Sequence, residues 1–142
     1  MTVGLDVPTS GIVEVPLGGG QDGETIQFRI GEEFGACRLR ASYRQQFIDT
    51  MGPDFFAALC QVRDIMALSG LHPICYGASL DVYCIDSIRR TGKGLTAYQL
   101  TMGLEPGETD MVGIFAYGPD VCPSTVVDQK RHYQSWLESL PA

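Results

Sequence analysis

The strongest constraint on the fold is a run of large apolar residues at helical spacing in the middle of the chain. Four of them recur every three or four positions: Phe55, Leu59, Val62 and Met66. This spacing places them in one stripe and predicts a helix that faces the core. Gly70 follows at a position typical of a left-handed C-cap. The remaining elements must therefore pack against this central helix.

We expect the helical segment to begin before the stripe, near residue 42. Ser42 followed by Gln45 resembles a capping box. Phe47, Ile48 and Met51 then supply apolar residues for a short first helix. Gly52-Pro53-Asp54 ends that helix and starts the next, since proline suits a first turn. The predicted central helical segment spans residues 42–69.

Alternating apolar and polar residues on both sides of this segment predict strands. The runs lie at residues 12–15, 25–30, 36–40, 73–76, 82–85, 96–102 and 111–117. In the third run, Arg38 and Arg40 lie on the face opposite the apolar side chains. Pro106-Gly107 between the last two predicts a type II turn. Ser124 is the candidate N-cap of a helix over residues 124–140. The expected fold is α+β, a mostly antiparallel sheet of five to six strands packed against residues 42–69 and the C-terminal helix.

The balance of charge limits the classes of partner. The 142 residues form one expected domain, 1–142, and carry 17 Asp and Glu against 10 Lys and Arg, for a net charge of -7. An acidic chain is a poor ligand for phosphate backbones or anionic membranes, so we expect neither a nucleic acid nor a membrane as partner. The acidity is regional, with -5 over residues 1–36 and -4 over 95–121.

The N-terminal segment and the cysteines predict a cytoplasmic protein. MTVGLDVPTS contains neither the basic nor the apolar region of a secretory signal. No apolar run approaches the ~20 residues that span a bilayer. The five cysteines are Cys37, Cys60, Cys75, Cys84 and Cys122. They form no CxxC pair, which removes the usual zinc-ribbon and thioredoxin-like interpretations and fits a reducing compartment.

The segment 77–94 is the most unusual part of the sequence, because it is long for a connection in a compact domain. A short strand at 82–85 would leave a loop over 86–94 that contains three cations in five positions: Arg89, Arg90 and Lys93. A phosphate-binding loop is excluded, since Gly94 rather than Ser or Thr follows Lys93. Together with an acidic turn, this loop predicts a partner-binding set of Tyr83, Asp86, Arg89, Arg90, Lys93, Glu105, Glu108 and Asp110.

Enzyme chemistry is the alternative, and its signal is weak. A catalytic thiolate needs a base or a positive field, and the candidates are Cys84 or Cys75 with His132. His72 precedes Cys75 by three positions, which in a strand puts the two side chains on opposite faces. The sequence contains no HxH, HExxH or calcium-loop spacing. We therefore assign no catalytic residues, no metal ligands and no cofactor.

The small, acidic, single-domain profile resembles that of bacterial inhibitor-type proteins, such as immunity proteins that neutralise a cognate toxin. This resemblance is one of general character, and it implies a binding protein that blocks a partner by covering its surface. An acidic surface would complement a basic toxin domain and speed association. The acidic stretches 22–33 and 105–110 are the expected steering regions. A homodimer through an exposed strand edge of the N-terminal hairpin is a further hypothesis.

Overall fold

A computed structural model describes residues 11–141, apart from the side chains of residues 87 and 90. The strands are β1 (Gly11–Gly18), β2 (Thr25–Glu33), β3 (Ala36–Tyr43), β4 (Gln46–Gly52), β5 (His72–Pro73), β6 (Val82–Tyr83), β7 (Thr96–Gln99) and β8 (Met111–Gly113). The helices are α1 (Phe55–Ala67), α2 (Asp86–Gly92) and α3 (Val126–Ser139). Two short 3-10 turns cover Tyr76–Ala78 and Glu108–Asp110.

The strands form two antiparallel sheets. The larger has the order β4-β3-β2-β1-β5, and the smaller has the order β6-β7-β8. The α+β class with a mostly antiparallel sheet, a central helix and a C-terminal helix is therefore confirmed. The structure divides the strands between two sheets rather than joining them in one. Residues from both sheets and from α1 share one hydrophobic core, in which the Phe28 and Phe115 rings lie 5.1 Å apart.

Apolar and polar residues alternate along β1, β2 and β3, and this alternation explains why these segments form strands. One face contributes the core residues Val15, Leu17, Ile26, Phe28, Ile30, Cys37, Leu39 and Ala41. The side chains between them, including Arg29, Arg38 and Arg40, point to the other face. Because successive strand residues face opposite sides, this pattern fixes both the register and the face that packs on α1. The predicted N-terminal hairpin is confirmed, with Val13 opposite Phe28.

The predicted start of the helical segment at residue 42 is wrong, because residues 46–52 form strand β4. Arg44 and Gln45 have φ values of 49° and 62°, and they make the tight turn of a β3–β4 hairpin. Ile48 and Thr50 face inward at strand spacing, and the Thr50 hydroxyl donates to the Ala58 carbonyl at 3.0 Å. Pairing with β3 satisfies the backbone here and overrides the local capping-box pattern.

Helix α1 matches the predicted stripe. Its four predicted core residues, Phe55, Leu59, Val62 and Met66, are all buried. The Asp54 carboxylate caps the helix by accepting the Ala57 amide at 2.8 Å, and Gly70 has the expected positive φ of 72°. The helix packs against β3 and β4, so it covers one face of the large sheet.

The second half of the chain departs from the prediction in three places. The expected loop after residue 85 contains the seven-residue helix α2. Gly107 has a φ of -110°, so the predicted type II turn at Pro106-Gly107 is wrong, although β7 and β8 do pair. Helix α3 is capped by Thr125 rather than Ser124, since the Thr125 hydroxyl accepts the Asp128 amide at 3.1 Å.

Candidate functional site

Arg89, one of the predicted partner-binding residues, is held by contacts within the chain. Its Nε donates to the Cys84 carbonyl at 2.7 Å. Its guanidinium lies over the Phe56 and Tyr83 rings, 5.1 and 5.5 Å from their centres. Asp54, the cap of α1, lies 3.7 Å from Nη1. Arg89 therefore ties α2 to the start of α1 and is only partly available to a partner.

Tyr83 belongs to an aromatic cluster between the small sheet and the helices. Its ring stacks on Tyr133 of α3, with centres 4.1 Å apart and planes within 9°. Phe56 approaches its edge at 5.1 Å, and Tyr133 continues the stack to Trp136 at 6.0 Å. Burial raises the pKa of Tyr83. The ring is half-buried, so it stabilises the contact between α1, β6 and α3.

The other residues of the predicted loop differ in their exposure. Lys93 donates to both carboxylate oxygens of Glu32 at 2.8 Å, which joins the end of α2 to β2. Asp86 is exposed in the first turn of α2. The side chain of Arg90 lies outside the described part of the chain. The predicted basic loop is thus a short helix whose described cations, Arg89 and Lys93, both have acidic partners.

The acidic turn lies at the other end of the small sheet. Helix α2 leads into β7 at Thr96, whereas the turn follows the Gln99 end of that strand. Glu105 and Glu108 are exposed. The Asp110 carboxylate accepts the Gly107 amide at 2.8 Å. The structure therefore places the basic and acidic halves of the predicted set on opposite ends of β7 rather than in one patch.

The two candidate catalytic thiols are completely buried. Burial raises the pKa of both Cys75 and Cys84 from 9.0 to about 12, so both stay protonated at neutral pH. The Nδ1 of His132 is buried with no hydrogen-bond partner among residues 11–141. Within that range, no group of three His, Cys, Asp or Glu side chains is arranged to hold a metal ion. The geometry does not activate either thiol.

The outer face of the large sheet carries functional candidates that the sequence analysis missed. We call this surface the outer sheet face, defined by Ile12, Arg29, Arg38, Arg40, Phe47 and Met51. Arg29 on β2 lies directly opposite Arg40 on β3. Neither guanidinium makes an ion pair with a described residue, whereas Arg38 binds Glu33 and Asp49. Like charges directly opposite each other destabilise a sheet, and only Arg40 has a carboxylate opposite it on its other side, that of Asp49 on β4.

Exposed apolar side chains flank this arginine pair. Phe47 is 79% exposed and Ile12 is 55% exposed, on β4 and β1 respectively. Ile12 is the cross-strand neighbour of Arg29. The alternation of Arg38 and Arg40 already predicted a polar face on β3. The sequence analysis assigned Phe47 to a helix, so it did not place this residue beside that face. Arginine and aromatic residues are the types enriched at the centres of protein interfaces.

A second feature that the sequence analysis missed is the Arg63–Gln129 hub, which joins α1 to α3. Arg63 is only 3% exposed, and its Nη1 donates to the Gln129 Oε1 at 2.6 Å and to the Gly77 carbonyl at 3.2 Å. Its Nη2 donates to the Ser124 carbonyl at 2.9 Å. Nε has no hydrogen-bond partner among the described residues. The available signal was a charged residue four positions after Leu59, on the buried stripe of α1.

Gln129 completes the hub from the other side. Its Nε2 lies 2.9 Å from each of three carbonyl oxygens, those of Gly77, Ser79 and Val82. No carboxylate of the described residues lies within ion-pair distance of Arg63. Burial lowers the pKa of the Arg63 guanidinium from its ordinary value. The fold thus stabilises an interior cation through an amide oxygen, carbonyl oxygens and the Cys60 sulfur, which lies 3.9 Å from Nη1.

One property of the helices and two comparisons with known proteins bear on the identity of the chain. No helix among residues 11–141 is long and apolar enough to cross a bilayer. No protein-family model matches the sequence, and no curated protein matches it either.

Proposed function

We propose that this chain is a binding protein of the inhibitor type, which neutralises a protein partner by covering part of its surface. The outer sheet face carries the proposal. Arg29 and Arg40 present two neighbouring guanidinium groups without partners in the described chain, and exposed Phe47 and Ile12 flank them. A partner carboxylate between the two guanidinium groups would relieve their repulsion and add charge-assisted hydrogen bonds.

The proposed partner is a basic protein such as a toxin domain. The net charge of -7 favours encounter with a basic molecule over a nucleic acid or an anionic membrane. Exposed Glu105 and Glu108 would contribute to steering, and Asp110, Asp86, Tyr83, Arg89, Arg90 and Lys93 remain predicted secondary contacts. Arg29 and Arg40 would then fix the position of the partner on the outer sheet face.

We also propose that the protein is bacterial and works in the cytoplasm. Its five cysteines are free thiols in the described structure, and three of them, Cys37, Cys75 and Cys84, are buried. A reducing compartment keeps such thiols unpaired. Fractionation of the source cells, with detection of the untagged protein, would test this assignment.

Site-specific photocrosslinking tests the proposed contact. The crosslinking amino acid p-benzoylphenylalanine replaces Phe47 in one protein and Phe34 in a control, since Phe34 is 97% exposed in the β2–β3 turn and outside the outer sheet face. We expect one captured protein at position 47 in extracts of the source cells, and none of that protein at position 34. Purified, that protein should bind the chain and lose its activity on binding.

The arginine pair supplies the second arm of this experiment. Combined Arg29→Ala and Arg40→Ala substitutions should abolish capture at position 47, because a partner carboxylate would lose both donors. Arg131→Ala, at an exposed position of α3, should leave capture unchanged. Equal capture at positions 47 and 34 would rule out the outer sheet face as the binding surface. Capture at position 47 that is unchanged by the two arginine substitutions would rule it out as well.

The enzyme alternative, with Cys84 or Cys75 and His132, has a direct test. Iodoacetamide at neutral pH should modify exposed Cys122 quickly and both buried thiols slowly. Fast modification of Cys84 or Cys75 in the folded protein would favour the enzyme over the binding protein.

A homodimer also remains a prediction. Among the described residues, β5 pairs with β1 only at Leu17 and Gly18, which leaves most of that side of β1 unpaired. Light scattering across a range of protein concentrations decides between monomer and dimer.

A further inference from the structure

The outer sheet face contains a shallow depression of about 160 Å³ that is bordered by the arginine pair of β2 and β3. We call it the arginine depression, and its walls are formed by Ile12, Gln27, Arg29, Arg40, Ser42 and Phe47. Pockets that enclose a whole organic molecule measure about 300 Å³ or more. A depression of this size would therefore hold one charged group and leave the rest of a ligand outside.

The arginine depression presents hydrogen-bond donors that are free to bind a ligand. Arg29 is exposed and Arg40 is half-buried, so solvent reaches both side chains. The register places them directly opposite each other, and Ser42 follows Arg40 on the same face of β3. Neither guanidinium group nor the Ser42 hydroxyl donates to an acceptor of the described residues. Each guanidinium offers up to five N–H groups in a fixed fork.

No carboxylate of the described residues lines the arginine depression. The nearest in the register are Glu14, opposite Gln27, and Asp49, opposite Arg40. Glu14 accepts the Gln27 amide at 3.4 Å, and Asp49 accepts the Arg38 Nε–H at 2.9 Å. Both carboxylates therefore bind other side chains, and the arginine pair still lacks an anion in direct contact.

We propose that the arginine depression binds the phosphate group of a small phosphate monoester. The dianion has two negative charges and three strong acceptor oxygens, which match two guanidinium forks and the Ser42 hydroxyl. A carboxylate has one charge and two oxygens, so it would leave one guanidinium without an anion. The organic group would lie outside the depression against Phe47, which is 79% exposed.

The net charge of -7 does not oppose this assignment. Distant charges are screened beyond ~8 Å at physiological salt, whereas the two guanidinium groups would contact the phosphate directly. A nucleic acid gains affinity by pairing many phosphates with an extended basic surface. Two arginines in a small depression instead favour a ligand with a single phosphate.

A bound monoester would occupy the position of the partner carboxylate, so it should compete with the protein partner. This competition rests on the proposed function, whereas binding of the monoester itself does not. The concentration of the monoester would then determine how much of the chain is available to its partner.

NMR titration of the purified chain tests the ligand class, with phenyl phosphate as the probe above pH 7, where its phosphate is a dianion. We expect saturable shifts of the backbone amide resonances of Arg29, Arg40 and Ser42. Benzoate and inorganic phosphate should bind at least fivefold more weakly. Absence of saturable shifts with phenyl phosphate would refute the site. Equal binding of benzoate would refute the dianion, and equal binding of inorganic phosphate would refute the monoester.

Variants locate the bound ligand. Combined Arg29→Gln and Arg40→Gln substitutions should weaken phenyl phosphate binding at least tenfold. Combined Lys130→Gln and Arg131→Gln substitutions remove the same charge from exposed positions of α3 and should leave the affinity unchanged. Equal affinity in both double variants would place the ligand elsewhere and overturn the proposal.

Ser42→Glu provides a blocking variant that keeps both arginines. Its carboxylate would take the place of the ligand, so phenyl phosphate binding should again fall at least tenfold. This variant decides the location if the double arginine variant does not fold, and wild-type affinity in a folded Ser42→Glu protein would refute the site.

Competition is measured with the unmodified chain and the purified protein captured at position 47. Saturating phenyl phosphate should weaken their binding at least fivefold. Binding that phenyl phosphate leaves unchanged would refute the competition but not the proposed function. Failure to capture any partner would refute the proposed function and the competition with it, while the titration of the chain alone still decides whether the phosphate site exists.

Discussion

Arg63 is a permanent positive charge in the interior, stabilised by neutral acceptors. Taking a guanidinium out of water costs several kcal/mol unless its donors find partners. Gln129 supplies the side-chain acceptor and also donates toward three carbonyl groups. One amide side chain therefore stabilises both a charge and a turn of the backbone, and its loss leaves several polar groups unpaired at once.

We expect Gln129→Leu to lower the free energy of unfolding by about 3 kcal/mol, because a buried cation and buried carbonyls lose their partner. Urea denaturation measures this change. Gln134→Leu, at an exposed position of the same helix, controls for the loss of a glutamine and should change stability by under about 0.5 kcal/mol. Equal effects of the two substitutions would show that the hub contributes nothing.

The buried thiols make stability depend on alkaline pH. Burial raises the pKa of Cys75 and Cys84 to about 12 in the folded state, against 9.0 for an ordinary thiol. Between these values the unfolded chain releases protons that the folded chain keeps, so stability is complete below pH 9 and falls as the pH rises. Each thiol should account for about 1.4 kcal/mol of loss by pH 10.

A double Cys75→Ala and Cys84→Ala variant should therefore lose less stability than the wild type between pH 8 and pH 10, by about 2.7 kcal/mol. Urea denaturation at both pH values gives the comparison, and Cys122→Ala at an exposed site is the control. Identical pH dependence in the double variant and the wild type would contradict the assignment to these thiols.

At the scale of elements, the β3–β4 hairpin shows how a local pattern misleads. Arg44 and Gln45 both adopt left-handed backbone conformations, which favour Asn and Gly in a two-residue turn. The chain therefore carries strain at this turn, and strand pairing across seven residue pairs, from Cys37–Gly52 to Tyr43–Gln46, compensates for it.

Replacing Gln45 with glycine should stabilise the protein by about 1 kcal/mol, because glycine adopts a φ of 62° without steric cost. The substitution leaves the Arg44–Glu24 ion pair in place. Thermal and urea unfolding measure the gain. Gln46→Gly, one residue later and inside β4, should instead destabilise the protein, and a loss of stability in both variants would refute the strained turn.

Elements with a long regular period could be predicted from the sequence, and those set by distant contacts could not. The α1 stripe and the alternation of β1 to β3 repeat over many residues, so their pattern specified their structure. Residues 42–45 match both a capping box and a turn, and only pairing with β3 decides between them. The hub was beyond prediction since Arg63 meets Gln129 66 residues later in the chain.

In the candidate site too, features set by a local pattern could be predicted and features set by distant contacts could not. The sequence predicted that Arg38 and Arg40 share a polar face, but the register that puts Arg29 opposite Arg40 depends on the whole sheet. Arg89 and Lys93 were predicted as partner-binding cations. Their partners, Asp54 and Glu32, come from other elements and became visible only in three dimensions.

At the scale of the whole molecule, different charged groups control the two rates of binding, association and dissociation. The net charge of -7 acts over a Debye length, ~8 Å at physiological salt, whereas the arginine pair acts at contact distance. The acidic residues should therefore govern the association rate with a basic partner. The outer sheet face should govern the dissociation rate.

A Glu105→Gln and Glu108→Gln variant should lower the association rate with the captured partner about threefold at low salt and leave dissociation nearly unchanged. Both positions are exposed, so folding should be unaffected. Stopped-flow or surface-plasmon measurements across ionic strengths give both rates. Asp64→Asn with Glu138→Gln, which removes the same charge elsewhere, is the control, and an identical effect there would assign steering to net charge alone.

The hub also has a consequence for synthesis on the ribosome. Arg63 emerges with α1, while its acceptors on Ser124 and Gln129 are added 61 and 66 residues later. Until then the Arg63 guanidinium remains hydrated, because burying that side of α1 would leave a charge without these hydrogen-bond acceptors. The nascent chain can pair its first four strands early, but it can close over α1 only after α3 is made. We therefore expect the last step of folding to occur only after the C-terminal helix has been translated.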